Sequence, residues 1–320
     1  MIKILANDGI DPTGKTMLEQ AGFTVDTQTI PQDQLSSRLN EYDAITVRSA
    51  TKVRKELIDV CPNLKLIGRG GVGMDNIDVE YAQSKGLAVV NTPASSSLSV
   101  AELVFAHIFT GVRFLHDSNR RMPVEGDTAF GEMKKAYSKG TELRGKTLGI
   151  LGFGRIGREL AAVGFGLGMH VIAFDLYPFD PKVTLTIGGQ DITVDAEAAP
   201  SIEYLLHNSD FVSLHVPYLN EPAIGKKELA LMRKGAGIVN CSRGGVIDEL
   251  ALIEALNSGQ IGFAGLDVFD SEPKPRKELL QHPKVTLSPH IGGSTLEAQE
   301  RIGVELANII IQHFHGNVEY

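Results

Sequence analysis

The chain has 320 residues, 42% hydrophobic and 22% charged, ordinary globular proportions in a chain long enough that two domains are expected. A formal net charge of −8 excludes a general binder of nucleic acid or anionic membrane, though not a local cationic pocket. Two cysteines, Cys61 and Cys241, cannot build a disulfide framework or a Cys-rich metal site, so no metal and a reducing compartment are expected.

The N-terminus, MIKILAND, opens on a strand-like run without the form of a signal peptide. Candidate strands follow at residues 2–6, 23–26, 44–47, 65–67 and 88–90, alternating with helical patterns. Between the first two lies GIDPTGKT (9–16), which spells G-x-x-x-x-G-K-T. One reading is a phosphate-gripping P-loop. The other is a helix N-terminus capped by Asp11 or Thr13, with Gly14 in the turn. The second is favoured, because after Thr16 only residues 17–21 can be helical before Gly22. A long helical pattern covers about 99–119. The most apolar stretch, 101–115, is interrupted by Glu102, His107 and Arg113, so no membrane span and a cytoplasmic location are expected. Residues 117–141 are polar and read as irregular. A second set of strands is expected at 147–151, 170–174, 211–215, 237–240, 262–266 and 284–287. VTLTIGGQDITVD (183–195) alternates apolar and polar residues around Gly188-Gly189 and reads as a β-hairpin on the surface. A final helix is expected over about 295–313, with apolar Leu296, Ile302, Leu306, Ile309 and Ile310.

Strands alternating with helices predict α/β architecture with parallel sheets. Strand 147–151 runs into Gly152-Phe153-Gly154-Arg155-Ile156-Gly157 and then a helix. This is G-x-G-x-x-G in the context it needs. Gly152 permits the turn, Gly154 lets a pyrophosphate approach the backbone, and Gly157 lets helix and strand pack closely. The next strand ends in Asp175, eighteen residues beyond Gly157, where a carboxylate can accept ribose hydroxyls and repel a 2′-phosphate. Leu176, Tyr177 and Pro178 offer such a phosphate no cation, so NAD is favoured over NADP.

In open parallel sheets, ligands bind beyond the carboxyl ends of the strands. Three residues at those ends belong together chemically. Arg243 is a forked cation suited to a carboxylate and an adjacent oxygen. His290 can exchange a proton with a substrate hydroxyl. Glu272 can hold the imidazole and stabilise its protonated form.

These residues lie in stretches that resemble the D-isomer-specific 2-hydroxyacid dehydrogenases, and within them the phosphoglycerate dehydrogenases. The stretches are VRSATKV (47–53), GRGGVGMDNID (68–78), KGTELRGKTLGILGFGRIGRELA (139–161), NCSRGGVIDE (240–249), LDVFDSEP (266–273) and SPHIGGST (288–295). The resemblance implies two doubly wound parallel-sheet domains, a Rossmann NAD domain (99–293) inserted into a flavodoxin-like substrate domain (1–98 and 294–320). It implies hinges near 97–99 and 292–294, a cleft that closes on substrate, and a homodimer formed through the NAD domains. It implies Arg243, Glu272 and His290 as the catalytic triad, and NAD contacts at Gly152, Gly154, Arg155, Ile156, Gly157, Asp175, Val216, Cys241, Asp267 and Gly292.

Arg48 and Lys52 follow strand 44–47, and Arg69 follows 65–67. Facing a cleft, they form a cationic patch suited to a phosphorylated 2-hydroxy acid. The family points to oxidation of 3-phosphoglycerate to 3-phosphohydroxypyruvate, leading into serine synthesis, with Arg243 and the loop at Gly70, Gly71 and Val72 on the carboxylate. Lys134 or Lys135 stands about where relatives use an arginine for the phosphate, and NTPASSSLS (91–99) departs from the family's Gly/Asn-richer version. With the chain ending at Tyr320, feedback through a regulatory domain after the last helix is not expected. Alternatives are another D-2-hydroxyacid dehydrogenase or a glyoxylate/hydroxypyruvate reductase, a non-enzymatic NAD-sensing corepressor, and the P-loop NTPase.

Overall fold

The computed structural model describes residues 1–316. The chain divides into two compact units, residues 98–292 and the remainder on either side. The sequence expectation of 99–293 differs by one residue at each joint.

The first unit runs β1 (Lys3–Ala6), α1 (Pro12–Gln20), β2 (Thr24–Asp26), α2 (Leu35–Arg38), β3 (Ala44–Val47), α3 (Lys55–Asp59), β4 (Leu66–Arg69), α4 (Val79–Ser84) and β5 (Ala88–Asn91). Its sheet is wholly parallel, in the order β2-β1-β3-β4-β5, the flavodoxin-like arrangement. The central strands β3 and β4 are buried almost throughout because both faces are covered. Leu5, Ile45 and Ile67 feed one core, and Ile4, Ala44 and Leu66 feed the opposite one.

The second unit runs α5 (Ser97–Val112), α6 (Leu115–Glu125), α7 (Phe130–Ala136), β6 (Thr147–Leu151), α8 (Arg155–Gly166), β7 (His170–Phe174), β8 (Lys182–Ile187), β9 (Gln190–Asp195), β10 (Glu197–Ala198), α9 (Ile202–Asn208), β11 (Phe211–Leu214), α10 (Lys226–Leu231), β12 (Ala236–Asn240), α11 (Glu249–Ser258), β13 (Ile261–Leu266), α12 (Lys277–Leu280) and β14 (Val285–Leu287). Its main sheet is parallel, in the order β10-β7-β6-β11-β12-β13-β14, a Rossmann order with one strand added at the far edge. Apolar cores again cover both faces. Strands β8 and β9 form the antiparallel hairpin, with Gly188 and Gly189 both at positive φ in its turn. Val183 and Leu185 of β8 are buried in the core beside α8, and the opposite face is exposed.

Finally α13 (Leu296–His315) returns to the first unit, capped by Thr295, which accepts from Ala298 N. It buries Ala298, Ile302, Leu306 and Ile310, a stripe at four-residue spacing. Leu296, expected on that stripe, is 86% exposed.

Three expectations are corrected. First, Gly14, Lys15 and Thr16 lie inside α1, which begins at Pro12 and not after the Lys-Thr pair. Lys15 N is committed to Asp11 O, and Lys15 Nζ faces Glu19 at 3.7 Å. A P-loop needs those amides free around a phosphate, so this reading falls. Asp11 caps the helix through Thr13 N. Gly14 is small because a Cβ there would lie 2.4 Å from Gly303 O of α13. Second, the helical pattern at 99–119 is two helices, broken at Phe114, whose φ is 56°. Third, residues 117–136 are largely helical. The polar residues that read as loop form side-chain ties on helices: Arg121 with Glu125 one turn on at 2.6 Å, and Tyr137 Oη with Asp117 at 2.6 Å. Among the described residues, no single helix is long and apolar enough to cross a membrane.

Candidate active site

In the second unit the sheet reverses its winding at β6, and the crevice there is built from glycine. Gly152 has φ 95°, and a Cβ on it would lie 2.6 Å from His215 O and 3.0 Å from the Val216 side chain. A Cβ on Gly157 would lie 2.4 Å from Gly152 O, so α8 can approach β6 only without one. Around Gly154 a Cβ would meet open space, and no side chain caps α8. The first amides of α8 are therefore available to an anion, at the positive end of the helix dipole. Asp175, half-buried at the end of β7, accepts from Phe153 N at 2.8 Å and Tyr177 N at 3.2 Å. Each oxygen keeps capacity for a ribose hydroxyl. Arg155 is exposed and Ile156 packs its inner side on the core. These features fit a dinucleotide: an open cradle, uncommitted helix amides and a carboxylate beyond the next strand.

Two of the expected cofactor contacts have buried, chemically active side chains. Cys241 is 7% exposed in the apolar core, and burial pushes its thiol well above the ordinary range. Asp267 is 1% exposed. Its Oδ1 accepts from Ser288 Oγ at 2.6 Å and Ile291 N at 2.8 Å, and its Oδ2 from Gly292 N at 2.8 Å. In the structure Asp267 is the anchor of the 288–292 loop, a role its place in LDVF did not suggest.

That loop presents His290. Its backbone φ is 56°, fixed by His290 N donating to Asp267 O at 2.8 Å. His290 Nδ1 lies 2.9 Å from Glu272 Oε2, while Glu272 Oε1 accepts from Phe269 N at 3.0 Å. The Arg243 loop touches the same segment: a Cβ on Gly244 would lie 2.0 Å from Phe269 O. Arg243 is half-buried, with its Nη1 donating to Ser242 O and its carbonyl accepting from Asn240 Nδ2. Glycine at 244 thus lets the Arg243 turn press against the loop that carries Glu272. An apolar cavity of about 390 Å³ backs the pair, with Phe269, Leu280, Leu287 and Pro289 in its wall. Nδ1 committed to Glu272 leaves Nε2 as the nitrogen that exchanges a proton.

In the first unit, Arg48 follows β3 and Arg69 ends the neighbouring β4. The Arg69 guanidinium lies over Gly71, where a Cβ would be 1.8 Å from its Nη1. A Cβ on Gly70 would lie 3.8 Å from Arg48 Cγ. Lys52 is exposed, its backbone clamped by Gln32 on both sides. Lys134 and Lys135 are exposed on the last turn of α7, in the second unit. The Gly70–Val72 loop needs a correction. Gly70 N donates to Val47 O and Gly71 N to Thr92 Oγ1. Each amide donates once, so neither is left over for a substrate carboxylate.

Asp8 was not anticipated. It follows β1 and accepts from Arg48 N at 2.7 Å, Thr51 N at 3.1 Å and Thr51 Oγ1 at 2.5 Å. Asn76 closes the same loop from the other side, donating to Arg48 O and Thr51 O. The available signal was Asn-Asp-Gly at a strand end beside the winding reversal.

Residues 105–292 match the model of the D-isomer specific 2-hydroxyacid dehydrogenase, NAD binding domain, and the chain belongs to that family. It is 39% identical to D-3-phosphoglycerate dehydrogenase of Methanocaldococcus jannaschii over 99% of its length and 58% of that protein's. It is also 39% identical to hydroxypyruvate reductase of Thermotoga maritima over 97% of both chains. The chain thus spans little more than half the length of the phosphoglycerate dehydrogenases it matches, 58% and 55% in two cases. Among solved structures, a glyoxylate reductase from Paecilomyes thermophila is similar with TM-score 0.82 and 29% identity, covering 97% of this chain and 94% of that one.

Proposed function

We propose that the chain catalyses NAD-dependent oxidation of D-3-phosphoglycerate to 3-phosphohydroxypyruvate, feeding serine synthesis in the cytoplasm. The observation that carries the reading is the Glu272–His290 pair, 2.9 Å apart, on loops at the strand ends of the same sheet as the Gly-rich turn. NAD, when bound, supplies the hydride acceptor. Gly152, Gly154, Gly157 and the first amides of α8 would hold its pyrophosphate, and Asp175 its ribose. His290 takes the hydroxyl proton at Nε2, and Glu272 stabilises the imidazolium so formed. Arg243 grips the carboxylate and the oxygen that becomes the carbonyl. Arg48, Lys52 and Arg69 counter the phosphate.

The test is NADH formation with 3-phosphoglycerate, D-glycerate and D-lactate. The reading expects 3-phosphoglycerate to be preferred, and Arg48→Ala and Arg69→Ala to erode that preference. NAD binding without turnover of any acid would sink it and favour a sensor. Reduction of hydroxypyruvate is the second reading. It is favoured by the end-to-end match to the Thermotoga maritima reductase and predicts indifference to Arg48→Ala.

A further inference from the structure

One buried titratable group has no part in the chemistry above. His107, in the middle of α5, is 5% exposed. Strand β13 makes room for it: a Cβ on Gly265 would lie 2.6 Å from His107 Cβ. Its Nδ1 bonds Thr286 Oγ1, and its Nε2 lies 2.9 Å from Ser288 Oγ. Ser288 Oγ in turn lies 2.6 Å from Asp267 Oδ1.

The direction of every bond in this chain is forced. The Asp267 carboxylate can only accept, so Ser288 spends its one hydroxyl hydrogen there. Toward His107, Ser288 must then accept, so Nε2 carries a hydrogen. Burial lowers the ring's affinity for a second proton, which keeps it neutral. Nδ1 is therefore bare and accepts from Thr286. Donation runs one way, Thr286 to His107 to Ser288 to Asp267, an order in which each bond polarises the next. It ends on the carboxylate that receives Ile291 N and Gly292 N, beside the carbonyl that receives His290 N. Helix α5 grips the same loop a second time, through Ser99 Oγ to Gly292 O at 2.7 Å.

We propose that His107 is a positioning residue for His290, acting through Ser288 and Asp267 on the loop that presents the imidazole. Its effect on turnover rests on the dehydrogenase reading, but the positioning itself does not. A residue that merely filled the space beside Gly265 would need no donor at Nε2.

Three variants separate the possibilities. His107→Gln returns a donor near the Nε2 position, His107→Leu fills the space without one, and Ser288→Ala cuts the next link without touching α5. The first readout is the ring NMR signal of His290, which needs no substrate. The second is NADH formation with 3-phosphoglycerate, resolved into kcat and KM. His107→Leu and Ser288→Ala are each expected to move the His290 signal and lower kcat about ten-fold, the scale of one lost hydrogen bond, with KM for NAD changed less than about two-fold. His107→Gln should keep the signal and most of the rate. A His290 signal unmoved in both His107→Leu and Ser288→Ala overturns the proposal, as does a Gln variant as impaired as the Leu variant. If the wild type turns over no acid, the dehydrogenase reading fails, and the NMR arm alone decides the positioning.

Discussion

At His290 the backbone takes a conformation that L residues avoid, φ 56°, at a cost of about 1–3 kcal/mol. The hydrogen bonds to Asp267 hold it there, and the gain is a ring aimed at Glu272. Replacing His290 by Gln should lower kcat on the order of 10²–10⁴-fold, with NAD affinity by titration calorimetry unchanged. Glu272→Gln should cost less, since it keeps an acceptor for Nδ1 and removes only the charge. His215 makes a separate prediction about acid. Its Nδ1 is shut from solvent without a partner, and burial lowers its pKa to about 4. Between that value and about 6.5 the unfolded chain holds a proton that the folded one refuses. Stability is therefore intact above pH ~6.5 and falls as pH drops, by about 1.4 kcal/mol per unit for this one site. Urea titrations across that window should show the slope, and His215→Asn should flatten it.

Among the elements, α1 and α13 show how a motif can mislead. G-x-x-x-x-G-K-T arises here because Gly14 and Gly303 let two helices touch backbone to backbone. Gly14→Ala should lower stability by about 1–3 kcal/mol, read as a drop in Tm. Lys15→Ala should change neither Tm nor NAD affinity appreciably. Most strands of both sheets were legible because they are short apolar runs, and β8–β9 because alternation brackets two glycines. Strand β10 was missed, since two residues carry no period. The later part of α6 and all of α7 were missed because they bury almost nothing, and their ties are polar residues on facing turns. At the site, Gly152, Asp175, Arg243, Glu272 and His290 announce themselves by residue type at strand ends. His107 does not. Its partners lie 179 and 181 residues away, and no local pattern records such a contact.

For the whole molecule we propose a homodimer formed through the second unit. Leu115, Met122, Val124 and Phe130, on α6 and the start of α7, are 51%, 43%, 77% and 58% exposed, large apolar side chains that a second copy would cover. Light scattering should give twice the chain mass, and Val124→Asp with Phe130→Asp should shift the mass toward one chain. An unchanged mass would remove α6 and α7 from the interface.

The two joints of the chain also carry a thermodynamic consequence. Ser99 ties Gly292 at one end of the second unit, and Gly293 meets Ser96 within the first, where a Cβ would lie 3.4 Å away. Both severed ends of each unit are thus neighbours. While the first unit stays folded, it acts on the second as a cross-link, closing a loop of about 200 residues in its unfolded state. Loop-closure entropy puts that restraint at about 5 kcal/mol. Residues 98–292 made alone should therefore melt below their transition in the intact chain by calorimetry, and joining their own two ends with a short linker should restore most of the difference.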